Sequence, residues 1–121
     1  MSTPRRMKTY TGEAGYVYQY YFVGKREALA SDPETPATEY VFDATSDRKI
    51  TFAISVFVKP EALTAWAAAH GRALTDSEQY AAAKMRLLRG FDEVDNMREH
   101  GRRLTVDADN IETVLAPLAL G

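Results

Sequence analysis

A chain of 121 residues with 45% apolar and 26% charged side chains suits one domain that can hold its own core, and these values exclude wholesale disorder. It contains no cysteine, which excludes disulfides and thiolate metal sites. Its 15 basic and 17 acidic residues leave a net charge of −2, too balanced for a general attraction to nucleic acid or anionic lipid.

Residues Met1–Gly15 read as a polar N-terminal tail with room for a short strand at Met7–Thr11, and residues 16–121 read as a single domain. The arginines near the start are followed by no apolar run, which is not the pattern of a signal peptide. No apolar run approaches the length of a membrane span. A cytoplasmic location and no membrane partner are the expectation.

Tyr16–Val23 is built from aromatic and β-branched residues, the composition of a packed strand. Alternation places Tyr16, Tyr18, Tyr20 and Phe22 on one face, and Val17, Gln19, Tyr21 and Val23 on the other. Glu27–Thr38 carries Pro33 and Pro36 among small and acidic residues, which predicts an exposed loop. Tyr40–Thr45 and Lys49–Val58 flank Ser46-Asp47-Arg48 and form a hairpin pattern. In the second run Ile50, Phe52, Ile54, Val56 and Val58 share the core parity, with Phe57 opposite.

At Lys59 the apolar period lengthens to that of a helix. Pro60 suits the first turn, and Leu63, Trp66, Ala67 and His70 form a stripe ended by Gly71. Thr75-Asp76-Ser77-Glu78 has capping-box spacing and opens a second helix with Tyr80, Leu87, Leu88 and Phe91 on its stripe. Gly90 is compatible with either an end or an interruption of this helix, and the pattern resumes as far as Glu99. A short extended piece at Leu104–Val106 and a helix from about Asp109 to Leu115 complete the chain. His70-Gly71-Arg72 recurs as His100-Gly101-Arg102, which helix-exit chemistry explains without a structural repeat.

The expected fold is α+β. An antiparallel sheet of about three strands in the N-terminal half is packed by helices from the C-terminal half. The expected core is Tyr18, Tyr20, Phe22, Phe42, Phe52, Ile54, Val56, Leu63, Trp66, Tyr80, Leu88 and Phe91.

Few residues carry chemistry. His70 and Lys84 are the weak catalytic candidates, the first as a base and the second because it lies within an apolar stripe. His70 reads better as a helix-end residue, and Lys84 as a side chain snorkelling along apolar surface. Asp92, Glu93, Asp95, Asn96, Glu99 and His100 are rich in ligand atoms but have the composition of a solvated helix face. No metal or cofactor is expected, and the balance leans away from an enzyme.

The leading expectation is a non-catalytic interaction module that self-associates as a homodimer through Val17, Tyr21, Val23 and Phe57, which are too apolar for an unshielded face. The alternative is a nucleic-acid-binding domain using Arg5, Arg6, Lys8, Lys25, Arg26, Arg48 and Lys49. A small-molecule enzyme or ligand-binding domain is the third reading.

Overall fold

The computed structural model describes residues 7–13, 15–31, 34–94 and 96–120. Its strands are Lys8–Thr11 (β1), Val17–Ser31 (β2), Glu34–Thr45 (β3), Phe52–Val58 (β4) and Arg103–Val106 (β5). Its helices are Pro60–His70 (α1), Asp76–Glu93 (α2), Met97–His100 (α3) and Ile111–Leu115 (α4), the last followed by a 3₁₀ turn at Ala116–Leu118.

The fold is α+β, but the sheet among the described residues has five strands, in chain order, rather than three. The first four form an antiparallel meander, whereas β5 lies parallel to β4. Parallel pairing requires a crossover, and α1, α2 and α3 supply it. The piece read as merely extended at Leu104–Val106 is therefore part of the sheet. So is β1, the short strand for which the sequence left room within the N-terminal tail.

The predicted loop at Glu27–Thr38 is also a correction. β2 and β3 run through it as a hairpin arm, with Leu29 opposite Pro36 and Ser31 opposite Glu34, while Asp32 and Pro33 lie outside the described residues. Proline is tolerated there because β4 pairs with β3 only as far as Thr38. Beyond Thr38 there is no β4 ladder for the missing N–H to serve. Between Phe22 and Gly24 the register shifts by one residue. Val23 is the extra residue of this bulge, and past it Lys25 lies opposite Tyr40 and Arg26 opposite Glu39.

Ile50 departs from its expected inward position and is exposed. The turn before it runs longer than the hairpin pattern suggests. Thr45 Oγ1 accepts from the Asp47 and Arg48 N–H groups, and Asp47 Oδ1 accepts from those of Lys49 and Ile50. Arg48 takes a left-handed backbone at φ 64°, and β4 begins only at Phe52.

The core lies between one sheet face and the helices. Tyr18, Tyr20, Phe42, Ile54 and Val56 meet Ala62, Trp66, Leu87, Phe91, Met97 and Ile111 in one cluster. Of the expected core, Phe22, Leu63, Tyr80 and Leu88 are partly buried at its margin. Helix α2 lies along the aromatic strand. Phe91 stacks on Tyr18 at 4.3 Å between ring centroids, and Tyr80 meets Phe22 edge-on at 5.0 Å.

Helix ends follow from local chemistry. Gly71 ends α1 in the left-handed region at φ 73°. The capping box at Thr75 and Glu78 is complete in both directions. Arg72 donates to both Glu78 oxygens and the Thr75 N–H to one of them, which together hold that carboxyl down at about 2. Gly90 interrupts nothing, and α2 runs on to Glu93. A β-carbon at Gly90 would sit 2.9 Å from Leu104 Cδ1, so the glycine serves the close approach of helix to strand.

The two His-Gly-Arg corners differ in their physics. Gly101 does not take the left-handed conformation of Gly71. Instead a β-carbon there would lie 2.2 Å from Met97 Sδ and 3.1 Å from Met97 Cα. Two substitutions check these assignments by urea unfolding. Thr75→Ala should destabilise the domain by about 1 kcal/mol through loss of the cap. Gly101→Ala should cost about 1–3 kcal/mol through overpacking against buried Met97. A wild-type midpoint in either variant would show that the assigned role is wrong.

Candidate interaction face

The sheet face turned away from the helices carries Val17, Gln19, Tyr21 and Val23 from β2, with Val41, Asp43 and Thr45 from β3. The Tyr21 hydroxyl donates to Asp43 Oδ2 at 2.8 Å. Val17 and Val23 are 47% and 40% exposed. Two hollows flank this strip. One of about 340 Å³ lies at the bulge, among Val23, Gly24, Arg26 and Val41. The other, about 250 Å³, lies among Val17, Gln19, Thr45, Ser46 and Arg48.

Phe57 shares the outward parity but offers no exposed surface. It is only 4% exposed, packed with Ala28 and Ala37 of the arm. The Arg103 guanidinium lies over its ring at 4.6 Å from the centroid. Alternation identified its side of the sheet, but the arm and Arg103 cover it within the chain.

Next to Phe57 is a polar cluster that the sequence reading did not pick out. Glu39 is buried, and its carboxylate accepts from Arg26 Nε at 2.8 Å and from Ser55 Oγ at 2.5 Å. The hydrogen bond from Arg26 is the largest influence and holds the carboxyl below its ordinary range against the opposing effect of burial. Ser55 and the charges of Arg26 and Arg103 act in the same direction. The signal available in sequence was a charged residue at outward parity between Thr38 and Tyr40, with its partner hidden by the bulge.

Among the described residues, those proposed for nucleic acid do not converge. Arg5 and Arg6 lie outside the described residues. Lys25 and Arg26 sit across from Tyr40 and Glu39, roughly 17 Å along β3 from the turn that carries Arg48 and Lys49. Arg26 is already paired with Glu39, and Lys8 lies on β1 beside Lys84.

The two weak catalytic candidates are structural in their surroundings. His70 stacks on Trp66 at 4.1 Å and its Nε2 is 2.7 Å from Glu112 Oε1, tying α1 to α4. Lys84 is half-buried, and desolvation first, then Lys8, pushes its ammonium down. The acidic stretch after Gly90 is divided among separate tasks. Asp92 accepts from the Tyr10 hydroxyl and the Glu13 N–H, Glu93 pairs with Arg86 and Arg89, and Asn96 caps α3. Tyr10 is pushed up to about 12, chiefly by that hydrogen bond. Asp95 lies outside the described residues, and among those described no three His, Asp or Glu side chains are grouped to hold a metal ion.

No family model matches the chain, and no curated protein or solved structure is significantly similar to it.

The buried carboxylate gives this face a pH dependence. Because the folded-state value of Glu39 is depressed, its stabilising contribution is present above the ordinary carboxylate range and is lost as the pH falls through the folded value. Glu39→Gln should therefore cost about 1 kcal/mol at neutral pH, a modest figure because Arg26 is solvent-exposed. The difference from wild type should shrink as the pH falls below the ordinary carboxylate range and through the depressed value of Glu39. Urea unfolding across that range measures it, and a difference independent of pH would assign the effect to packing instead.

Proposed function

We propose that this chain is an interaction module whose open sheet face joins a second copy of itself. The observation that carries the reading is the one-sided placement of the helices. Each of the four helices in the described residues contributes to the core on the Tyr18 face, and Val17 and Val23 remain exposed on the other. Apolar side chains beside two hollows suit a two-fold contact, in which the same strip serves both partners. The polar groups of the strip fit such a surface, since a non-obligate interface is only about as apolar as the rest of a protein.

Phe57 has no part in this reading, because it is covered within the chain. The relevant probes are the exposed valines. Val17→Asp with Val23→Asp should leave the domain folded by circular dichroism and convert a dimer to a monomer in sedimentation velocity. Neither side chain belongs to the core cluster, so the core loses nothing. A wild type that sediments as a monomer at micromolar concentration would overturn the proposal, as would a double variant that remains dimeric.

A further inference from the structure

The stem of Lys84 has a structural task, but its amine has none. Lys84 stands one turn from Tyr80 and one turn from Leu88 on α2, and both of these are partly buried at the margin of the core. The side chain between them is half-buried.

A second lysine comes to meet it from β1. In the β1–β2 ladder Lys8 lies opposite Tyr20, and Tyr10 opposite Tyr18. Directly opposed residues share a face of the sheet, so Lys8 and Tyr10 stand on the helix side. Tyr10 reaches α2, with its hydroxyl on Asp92 and its ring 5.9 Å from Phe91. Because α2 runs against β2, it runs with β1, and Lys8 precedes Tyr10 as Lys84 precedes Asp92. The two ammoniums are thereby brought together, close enough for one to act on the other.

Nothing negative compensates them. Among the described residues no carboxylate pairs with either lysine. Asp92 lies two turns further along α2, roughly 12 Å away, and is taken by Tyr10 and the Glu13 N–H. The phenols on this side do not help, since burial pushes Tyr20 up and keeps it neutral. A half-buried ammonium beside a second one is relieved by losing its proton. Burial first, and then Lys8, push the Lys84 ammonium down accordingly. Lys8 is exposed and keeps its charge in water.

A neutral amine next to a fixed cation is the arrangement that makes a lysine nucleophilic. A simple anion between the two lysines is the competing occupant. It would favour the charged form of both, which the half-burial of Lys84 opposes.

We propose that Lys84 captures small carbonyl compounds that carry an anionic group, with Lys8 holding the anion. The neutral Nζ attacks the carbonyl carbon, and a proton passes from nitrogen to the carbonyl oxygen. The hydroxyl so formed then leaves with the remaining N–H proton as water, and a C=N bond replaces the C=O bond. The site lies on the helix side of the sheet and stands independently of self-association through the other face.

Glyoxylate and propionaldehyde are suitable probes, since both offer an aldehyde and only the first is an anion. Cyanoborohydride traps the imine, and mass spectrometry of a digest locates the label. At neutral pH glyoxylate should label Lys84 roughly tenfold faster than the exposed Lys25 and Lys49. Taking the ratio within one digest cancels the reagent's own pH dependence. That ratio should fall towards one as the pH rises into the ordinary lysine range. Propionaldehyde should show a smaller preference. Lys8→Met should cut the preference severalfold and move the profile to higher pH, whereas Lys8→Arg should retain it. Circular dichroism reports whether each variant is folded, and Lys8 is exposed on an edge strand. Equal labelling of Lys84, Lys25 and Lys49 would overturn the proposal. So would label on Lys8 in preference to Lys84, equal preference with both aldehydes, or a Lys8→Met profile identical to wild type.

Discussion

The contact on which the rest depends is the clamp of α2 along β2, with Phe91 on Tyr18 at one end and Tyr80 on Phe22 at the other. The helix between its two rings is roughly 16 Å long and the strand between its own is roughly 13 Å. The two elements can therefore lie side by side in opposite directions with both ends engaged. Aromatic contacts of this kind add about 0.5–1.5 kcal/mol each beyond the area they bury. The capping box fixes where the helix starts, and hence where Tyr80 falls along the arm. Gly90 fixes how closely the far end approaches β5.

That clamp also divides the molecule chemically. By drawing the helices to one face it leaves the other to be managed by side chains alone, and the chain does so in two ways. Near β5 a polar cover forms from Arg103, Glu39, Arg26 and Ser55 around Phe57. Towards β1 and the bulge no comparable cover forms among the described residues, and the exposed Val17 and Val23 lie there. At the free end of α2, Tyr80 stands where the core ends and the arm continues.

Features set by local chemistry were legible in the sequence. The aromatic strand, the Gly71 stop, the Thr75 cap and the core side of β4 each depend on residues close in the chain, and each has its expected form. Features set by distant partners were not. Leu104–Val106 is too short to announce a strand, and its parallel partner is separated from it by three helices. Pro36 signals a break unless it is known that β4 ends before reaching it. Phe57 carries the right parity for an outer face, but its cover comes from Arg103 and from the small residues of the arm. His100-Gly101-Arg102 matches His70-Gly71-Arg72 in letters, yet one glycine is needed for its backbone angle and the other for the space beside Met97. The meeting of Lys84 with Lys8 was no more legible, since only the tertiary structure brings β1 beside α2.

The bulge at Val23 gives Phe57 a role beyond filling space. A ladder that ran on without the extra residue would move β2 along by one position, setting Lys25 opposite Glu39 and Glu27 opposite Ala37. The first exchange is mild, because lysine can stand in for arginine as a cation. The second would press a carboxylate against the Phe57 ring in place of the small apolar Ala28, an exchange that costs burial of a charged group. In the observed pairing Ala28 faces Ala37 there. Phe57 therefore acts as a gauge that rejects the slipped arm. In doing so it determines which of two adjacent cations turns towards the helices and which towards solvent.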